Sequence, residues 1–479
     1  MERKEFLYSK FRSRFSFEPT SCQDSLLQEV ADFVTCDDAD ILVVNGYAGT
    51  GKTTAVAAVV AGLRDVGVKT VLLAPTGRSA KVLSRIASRP AFTIHKHIYR
   101  QKSVGENGLG AFSLSPNKAR NTLFVVDEVS LISTLGSEGE EKQNTLFGTG
   151  NLLFDLVDFV RAGDDCRLML IGDSAQLPPV GMDTSPCLDR DYMKSAFSGV
   201  KFSTLSTVVR QEKESGILRC ASSLRGHILS CESLPLDSLE LDLDGTDDVE
   251  RISGGELIEA LNDAYSRYGE DETIVLCRSN KRAIRYNMGI RSTVQYKEEK
   301  LVKGEKLMIV KNCYQFLENV PRIDYIANGD IANLERIGSY EERYGLHFAT
   351  ATLSFPDYDG VSIDAKVCLD TLESESASLS YEQQNALYQG VSADYADRGS
   401  RRRVWMAVRE DKYFNALQLK YAQAITCHKS QGGQWDCVFV DYPFWQDELS
   451  REDLRWLYTA FTRAVKKLYL VNFKDSMFV

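Results

Sequence analysis

Short unbroken apolar runs recur along the chain, separated by longer stretches whose apolar residues fall three or four positions apart. Residues 41–45, 70–74, 123–126 and 167–171 are runs of this kind, dominated by valine, leucine and isoleucine. A strand that is apolar at successive positions is buried on both faces, as in a parallel sheet sandwiched by helices. The stretch beginning near residue 52 and the stretch 77–87 have helical spacing and serve as crossovers. A second series follows, with strands at 272–277, 436–440 and 467–471 and a helix at 281–288. The pattern predicts an α/β chain of two tandem parallel-sheet units, residues 1–225 and 226–479.

Two segments break this rhythm. Residues 99–121 are polar and glycine-rich and form a small excursion from the first unit. Residues 331–408 alternate in polarity at 347–353 and 361–368, then become Ser/Glu-rich, then basic at Arg398, Arg401, Arg402 and Arg403. This second segment is expected to be a β-rich insertion. Residues 136–150, glycine-rich and acidic, are expected to be a surface loop.

Composition narrows the class. With 43% hydrophobic and 26% charged residues, the 479-residue chain can bury ordinary globular cores. The net charge of −10 argues against a polyanion partner only if it is spread evenly, and it is not. Residues 69–102 hold eight Lys or Arg and no acid, whereas 226–250 hold eight acids and no Lys or Arg. The first stretch suits a local polyanion track or a solvated helix face; the second reads as a linker between the units. Eleven cysteines include no C-x-x-C pair, which argues against a zinc module or a disulfide framework and for free thiols in a reducing compartment. His95 and His97 lack further residues at ligand spacing. Residues 1–17 lack a secretory apolar core and no run spans a bilayer, so a cytoplasmic location without membrane contact is expected.

Candidate chemistry begins after the first strand. Gly46, Gly51, Lys52 and Thr53 fit G-x-x-x-x-G-K-[ST], between a predicted strand and a predicted helix. Such a loop, here Gly46 to Thr54 with Ala48, Gly49 and Thr50 inside it, wraps phosphates with backbone N–H groups at a helix N-terminus. Lys52 is placed to reach the β- and γ-phosphates of ATP and Thr53 to hold Mg²⁺. The run 123–126 ends in Asp127 and Glu128, one carboxylate for Mg²⁺ and one as base for water. Kinases, transporters and GTPases share these two features, so they do not settle function.

The remaining segments do more. Gln23, Ala74 to Leu83, Thr93 to His95, Asp127 to Ser130, Gly172 to Val180, Val209 to Gln211, Ile425 to Gly432 and Leu457 to Ala464 follow one another in a characteristic order. In this order they resemble the motifs of superfamily 1 helicases of the 5′→3′ branch, the RecD/Dda-like group, from about residue 23 to 471. The resemblance implies two RecA-like motor domains. The first would carry a hairpin-like insertion at about 99–121, and the second an SH3-like insertion at about 331–408. It implies that Gln23 reads adenine, that Gln176 senses the γ-phosphate, and that Arg210 and Arg463 stabilise charge on the transferring phosphate. Gly432 is grouped with the nucleotide residues. Thr76, Arg78, His95, Thr426, His428 and Lys429 would contact a nucleic-acid backbone, and Phe112 would be the apolar tip of a strand-splitting pin. The implied activity is ATP-dependent 5′→3′ translocation on single-stranded DNA and unwinding at forks by a monomeric motor. Accessory replication or repair proteins would be its partners. The position often held by a carboxylate after motif V is Gln434 here, which leaves one contact open. An RNA helicase of the same superfamily, or a non-catalytic DNA-binding subunit, is the alternative. The chain stops shortly after the 467–471 strand, so no C-terminal nuclease domain is expected.

Overall fold

The computed structural model describes residues 3–15, 17–101, 112–134, 148–208, 215–317, 320 and 326–479. The four apolar runs of the first half form the centre of a parallel sheet. Its spatial order is Ala91–Thr93, Lys69–Ala74, Arg120–Val126, Asp164–Gly172, Ile41–Gly46 and Val200–Leu205. The two edge strands were not evident from polarity because Ala91–Thr93 is three residues long and Val200–Leu205 mixes polar and apolar positions.

A second parallel sheet runs in the order Val249–Ile252, Ala464–Val471, Trp435–Asp441, Thr273–Cys277 and Ala424–Thr426. The architecture is the α/β one expected, two parallel sheets with crossover helices. Helix Gly216–Ser230 crosses the expected boundary at 225/226. Its buried residues Ile217, Cys220, Ala221, Leu224 and Ile228 share a core with Ile274 and Val438 of the second sheet. The helix thus runs across the expected boundary and packs with the second sheet, in a core that Tyr47, Ala175 and Leu177 of the first unit also join. The acidic segment that follows is also more than a linker, because Leu236, Leu239 and Leu241 are buried in that same core.

The β-rich insertion is a closed five-strand barrel of Lys306–Ile309, Ile331–Arg343, Leu346–Phe355, Val361–Cys368 and Leu417–Tyr421. It reaches beyond 331–408 at both ends. Its last two strands pair in parallel, which a tight turn cannot achieve. Helices Tyr381–Asp394 and Arg401–Glu410 supply the long crossover. In the smaller excursion, Tyr99–Gln101 pairs antiparallel with Phe112–Leu114. Most of the expected loop at 136–150 lies outside the described residues. Among the described residues, no helix is long and apolar enough to cross a membrane.

Candidate functional site

The strand Ile41–Gly46 lies inside its sheet, between Asp164–Gly172 and Val200–Leu205, and its C-terminal end delivers the glycine-rich loop. In an open α/β sheet this end is where ligands bind. Gly49 and Gly51 have φ of +75° and +73°, the left-handed region where a side chain is strained. Gly51 is the residue from which helix Lys52–Asp65 starts, so its backbone turns the chain from loop to helix. The exposed amides at this helix start, with the positive end of the helix dipole, suit an anion.

Lys52 Nζ donates to the carbonyls of Gly46 at 2.5 Å and Tyr47 at 3.0 Å, and lies 3.8 Å from Asp173 Oδ2. Asp127 and Glu128 follow the buried strand Arg120–Val126, separated from Ile41–Gly46 by the strand Asp164–Gly172. Desolvation, reinforced by the neighbouring Glu128 charge, pushes the Asp127 carboxyl up to about 7. A cation would relieve that penalty. Among the described residues, no three His, Cys, Asp or Glu side chains cluster to hold a metal by themselves. An Mg²⁺ held by Thr53 and Asp127 would have to keep water and phosphate oxygens among its ligands. Glu128 has φ of +56°, costly for a residue with a side chain, and its N–H bonds to Asp127 Oδ1 at 2.9 Å.

Gln176 is 5% exposed, and its side-chain oxygen is buried with no hydrogen-bond donor among the described residues. A buried acceptor left without a partner is costly, so an incoming ligand or water has a ready site there. Gln23 is engaged at both ends of its amide. Its Oε1 accepts the Thr20 N–H at 2.9 Å and its Nε2 donates to the Thr50 carbonyl at 2.9 Å. In this arrangement it ties the phosphate loop to the N-terminus of helix Ser21–Thr35.

Arg463 follows helix Arg451–Phe461 of the second unit and is 2% exposed. Its guanidinium donates to the Thr459 and Gly433 carbonyls at 3.0 and 3.1 Å and to Thr462 Oγ1 at 3.3 Å, all neutral acceptors. Arg210 lies outside the described residues.

The residues expected on the nucleic-acid side divide into groups. Thr76 caps helix Gly77–Ala87 and bonds to Ser79, whose hydroxyl donates to the Gly432 carbonyl at 3.3 Å. Gly432 thus packs against Thr76 and Ser79 at the start of helix Gly77–Ala87. Arg78 lies over Trp435 and donates to the Gln434 carbonyl at 2.9 Å. Thr426 precedes the short helix Cys427–Ser430, which carries His428 and Lys429; Lys429 donates to Asn328 Oδ1 at 3.0 Å. His95 is apart from these, its ring 5.6 Å from Tyr99, and burial lowers its pKa to about 4. Phe112 pairs with Gln101 in the last described pair of the hairpin, with its ring 5.4 Å from that of Tyr314, and residues 102–111 of the excursion lie outside the described residues.

Asp173, Tyr458, Thr459 and Tyr314 join the site without having been singled out from the chain. Asp173 ends a buried strand three residues before Gln176, and that placement was a usable signal. Tyr458 lies in the Leu457 to Ala464 segment, but nothing local marks the partner of its hydroxyl, a loop amide 410 residues away.

Residues 25–138 match the AAA domain family and residues 421–471 match the UvrD-like helicase C-terminal domain family. Over 206 residues the chain is 30% identical to the ATP-dependent RecD2 DNA helicase of Deinococcus radiodurans, covering 43% of this chain and 24% of that protein. Over 92 residues it is 34% identical to the ATP-dependent DNA helicase dda of Enterobacteria phage T4, covering 19% of this chain and 21% of that protein. The chain thus spans about a quarter or less of these two relatives. Among solved structures, a Bacteroides Pif1 helicase in complex with ADP-AlF3 and ssDNA aligns over 97% of this chain and 95% of its own, with 16% identity and a TM-score of 0.47.

Proposed function

We propose that this chain, which resembles the superfamily 1 helicases in both halves of its motor, is an ATP-dependent 5′→3′ DNA helicase. One observation carries the reading. The phosphate loop of the first sheet meets the helix Arg451–Phe461 of the second, through the bond from the Ala48 N–H to the Tyr458 hydroxyl at 2.8 Å. Hydrolysis in such a cleft acts on two bodies at once, which a motor requires and a simple kinase does not.

In this reading Lys52 and the amides from Gly46 to Thr54 hold the phosphates, and Thr53 and Asp127 hold Mg²⁺. The bound cation would neutralise charge on the phosphate oxygens. Glu128 accepts a proton from the attacking water, and Gln176 and Arg463, with Arg210, stabilise the transferring group. Gln23 holds the loop to the N-terminus of helix Ser21–Thr35, where the resemblance places the adenine. Thr76, Thr426, His428 and Lys429 line the path of single-stranded DNA, where backbone contacts move the strand without reading its bases, and Arg78 joins the two units beside that path.

The test is unwinding of duplexes carrying a single 5′ or 3′ tail, with and without ATP. Opening of the 5′-tailed duplex alone, and only with ATP, supports the proposal. Opening of the 3′-tailed substrate instead would reverse the assigned direction. ATPase stimulation by single-stranded RNA but not DNA would favour the RNA-directed alternative.

A further inference from the structure

Helix Arg451–Phe461 is packed in the core of the second unit, yet two consecutive side chains reach into the first. Tyr458 is 1% exposed, and its hydroxyl makes two bonds at once. It accepts the Ala48 backbone N–H at 2.8 Å and donates to Asp173 Oδ2 at 2.7 Å. The other Asp173 oxygen accepts the Ala175 backbone N–H at 3.0 Å, which fixes the carboxylate from its own loop. Thr459 Oγ1 accepts the Leu177 backbone N–H at 2.8 Å, so the same helix also grips the segment just beyond Asp173.

Lys52 completes the arrangement. Its ammonium lies 3.8 Å from Asp173 Oδ2 and is folded back onto the Gly46 and Tyr47 carbonyls. Two groups that a bound phosphate would draw on are therefore already engaged. The Ala48 N–H has a single proton, and it is directed at a phenol. The Lys52 charge is shared with an acid that the same phenol holds in place. One oxygen atom from the second unit thus controls both.

Resting on the nucleotide-site reading above, we propose that Tyr458 is a positioning residue that ties nucleotide entry to the spacing of the two sheets. Its hydroxyl keeps the phosphate loop in a form that disfavours phosphate, and withdrawal of helix Arg451–Phe461 frees Ala48 and Asp173 together. Packing alone does not explain the residue, since a ring without the hydroxyl would fill the same space. A buried phenol needs a partner, and this one has two, both in the other unit.

The test uses Tyr458→Phe in the full chain, with a fluorescent ATP analogue titrated without DNA and ATPase measured with and without single-stranded DNA. The expected result is three- to tenfold tighter analogue binding and a lower KM without DNA. At sub-saturating ATP the DNA-free rate should rise, so the degree of DNA stimulation falls. A merely structural role would instead lower the thermal midpoint and kcat and leave KM where it was. Analogue affinity that is unchanged or weaker in the folded variant overturns the proposal. Wild-type protein that neither binds the analogue nor hydrolyses ATP would remove the nucleotide-site reading itself, a separate failure. Should the variant not fold, amide hydrogen exchange of nucleotide-free wild-type protein decides. Protection at Ala48 is expected, and free exchange there overturns the proposal.

Discussion

The guanidinium of Arg78 lies 4.0 Å above the ring of Trp435 and donates to the Gln434 carbonyl at 2.9 Å, joining a helix of the first sheet to a strand of the second. The helicase resemblance implies that Arg78 contacts a nucleic-acid backbone, but its donors and its planar face are directed at the other unit. Such a stack is worth roughly 0.5–2 kcal/mol, more as it is desolvated. Arg78→Ala is expected to lower the thermal midpoint and to cut DNA-stimulated ATPase several-fold. The salt dependence of strand binding should change little, since losing a phosphate contact would reduce its slope by about 0.7. Arg78→Lys should rescue poorly, because an ammonium has no plane to stack. Salt titration of strand binding separates the two roles.

Lys52→Ala should abolish ATP turnover while leaving single-strand binding largely intact, because its neighbours in the structure are the loop carbonyls and Asp173. Turnover above about a tenth of wild type would correspond to a barrier rise below ~1.4 kcal/mol, too small for the ligand of a transferring phosphate. Strand binding measured beside ATPase checks both halves of the statement.

His95 bears on pH dependence. Burial holds its pKa near 4, below the usual value of 6.5, with the Asp155 charge opposing the shift only in part. The folded state thus prefers the neutral ring. The stability it contributes is complete above the unfolded pKa and is lost as pH falls from about 6.5 through 4. His95→Gln should lose less stability than wild type across that window. Strand affinity between pH 8 and 6 should gain nothing from a His95 charge. Thermal melts of both proteins from pH 8 to 4 provide the comparison.

Gly432 has φ of +74°, and a Cβ there would stand 2.1 Å from Ser79 Oγ and 3.1 Å from Thr76 Oγ1. Gly432→Ala is expected to cost about 1–3 kcal/mol through strain and to push the two units apart at this contact. Adding Ser79→Ala should recover part of the loss, since it removes the nearest clashing atom, but not the part due to φ. A double-mutant cycle by chemical denaturation measures the recovery.

Phe112→Ala should reduce duplex unwinding more than DNA-stimulated ATPase. Tyr314→Ala should reproduce the effect, because the rings pack 5.4 Å apart and Tyr314 supports Phe112. Equal losses of unwinding and ATPase in either variant would assign the pair to general stability instead of strand separation.

The chain by itself determined the α/β class, the central strands of both sheets and the phosphate loop. These rest on local rules: buried parallel strands are apolar throughout, and a loop that wraps phosphate needs glycines at fixed offsets. The short or mixed strands Ala91–Thr93 and Val200–Leu205 escaped notice because their burial comes from neighbours, not from their own pattern. For the same reason helix Gly216–Ser230 looked like part of the first unit until its core partners in the second were in view. Only the tertiary structure brought the Tyr458 hydroxyl to Ala48 and Asp173, Arg78 to Trp435, and Gly432 to Ser79. Those pairs are hundreds of residues apart, and no local propensity records them. They exist because loops and helix ends of two separately specified units pack against each other, and the packing selects which polar groups must find partners across the contact.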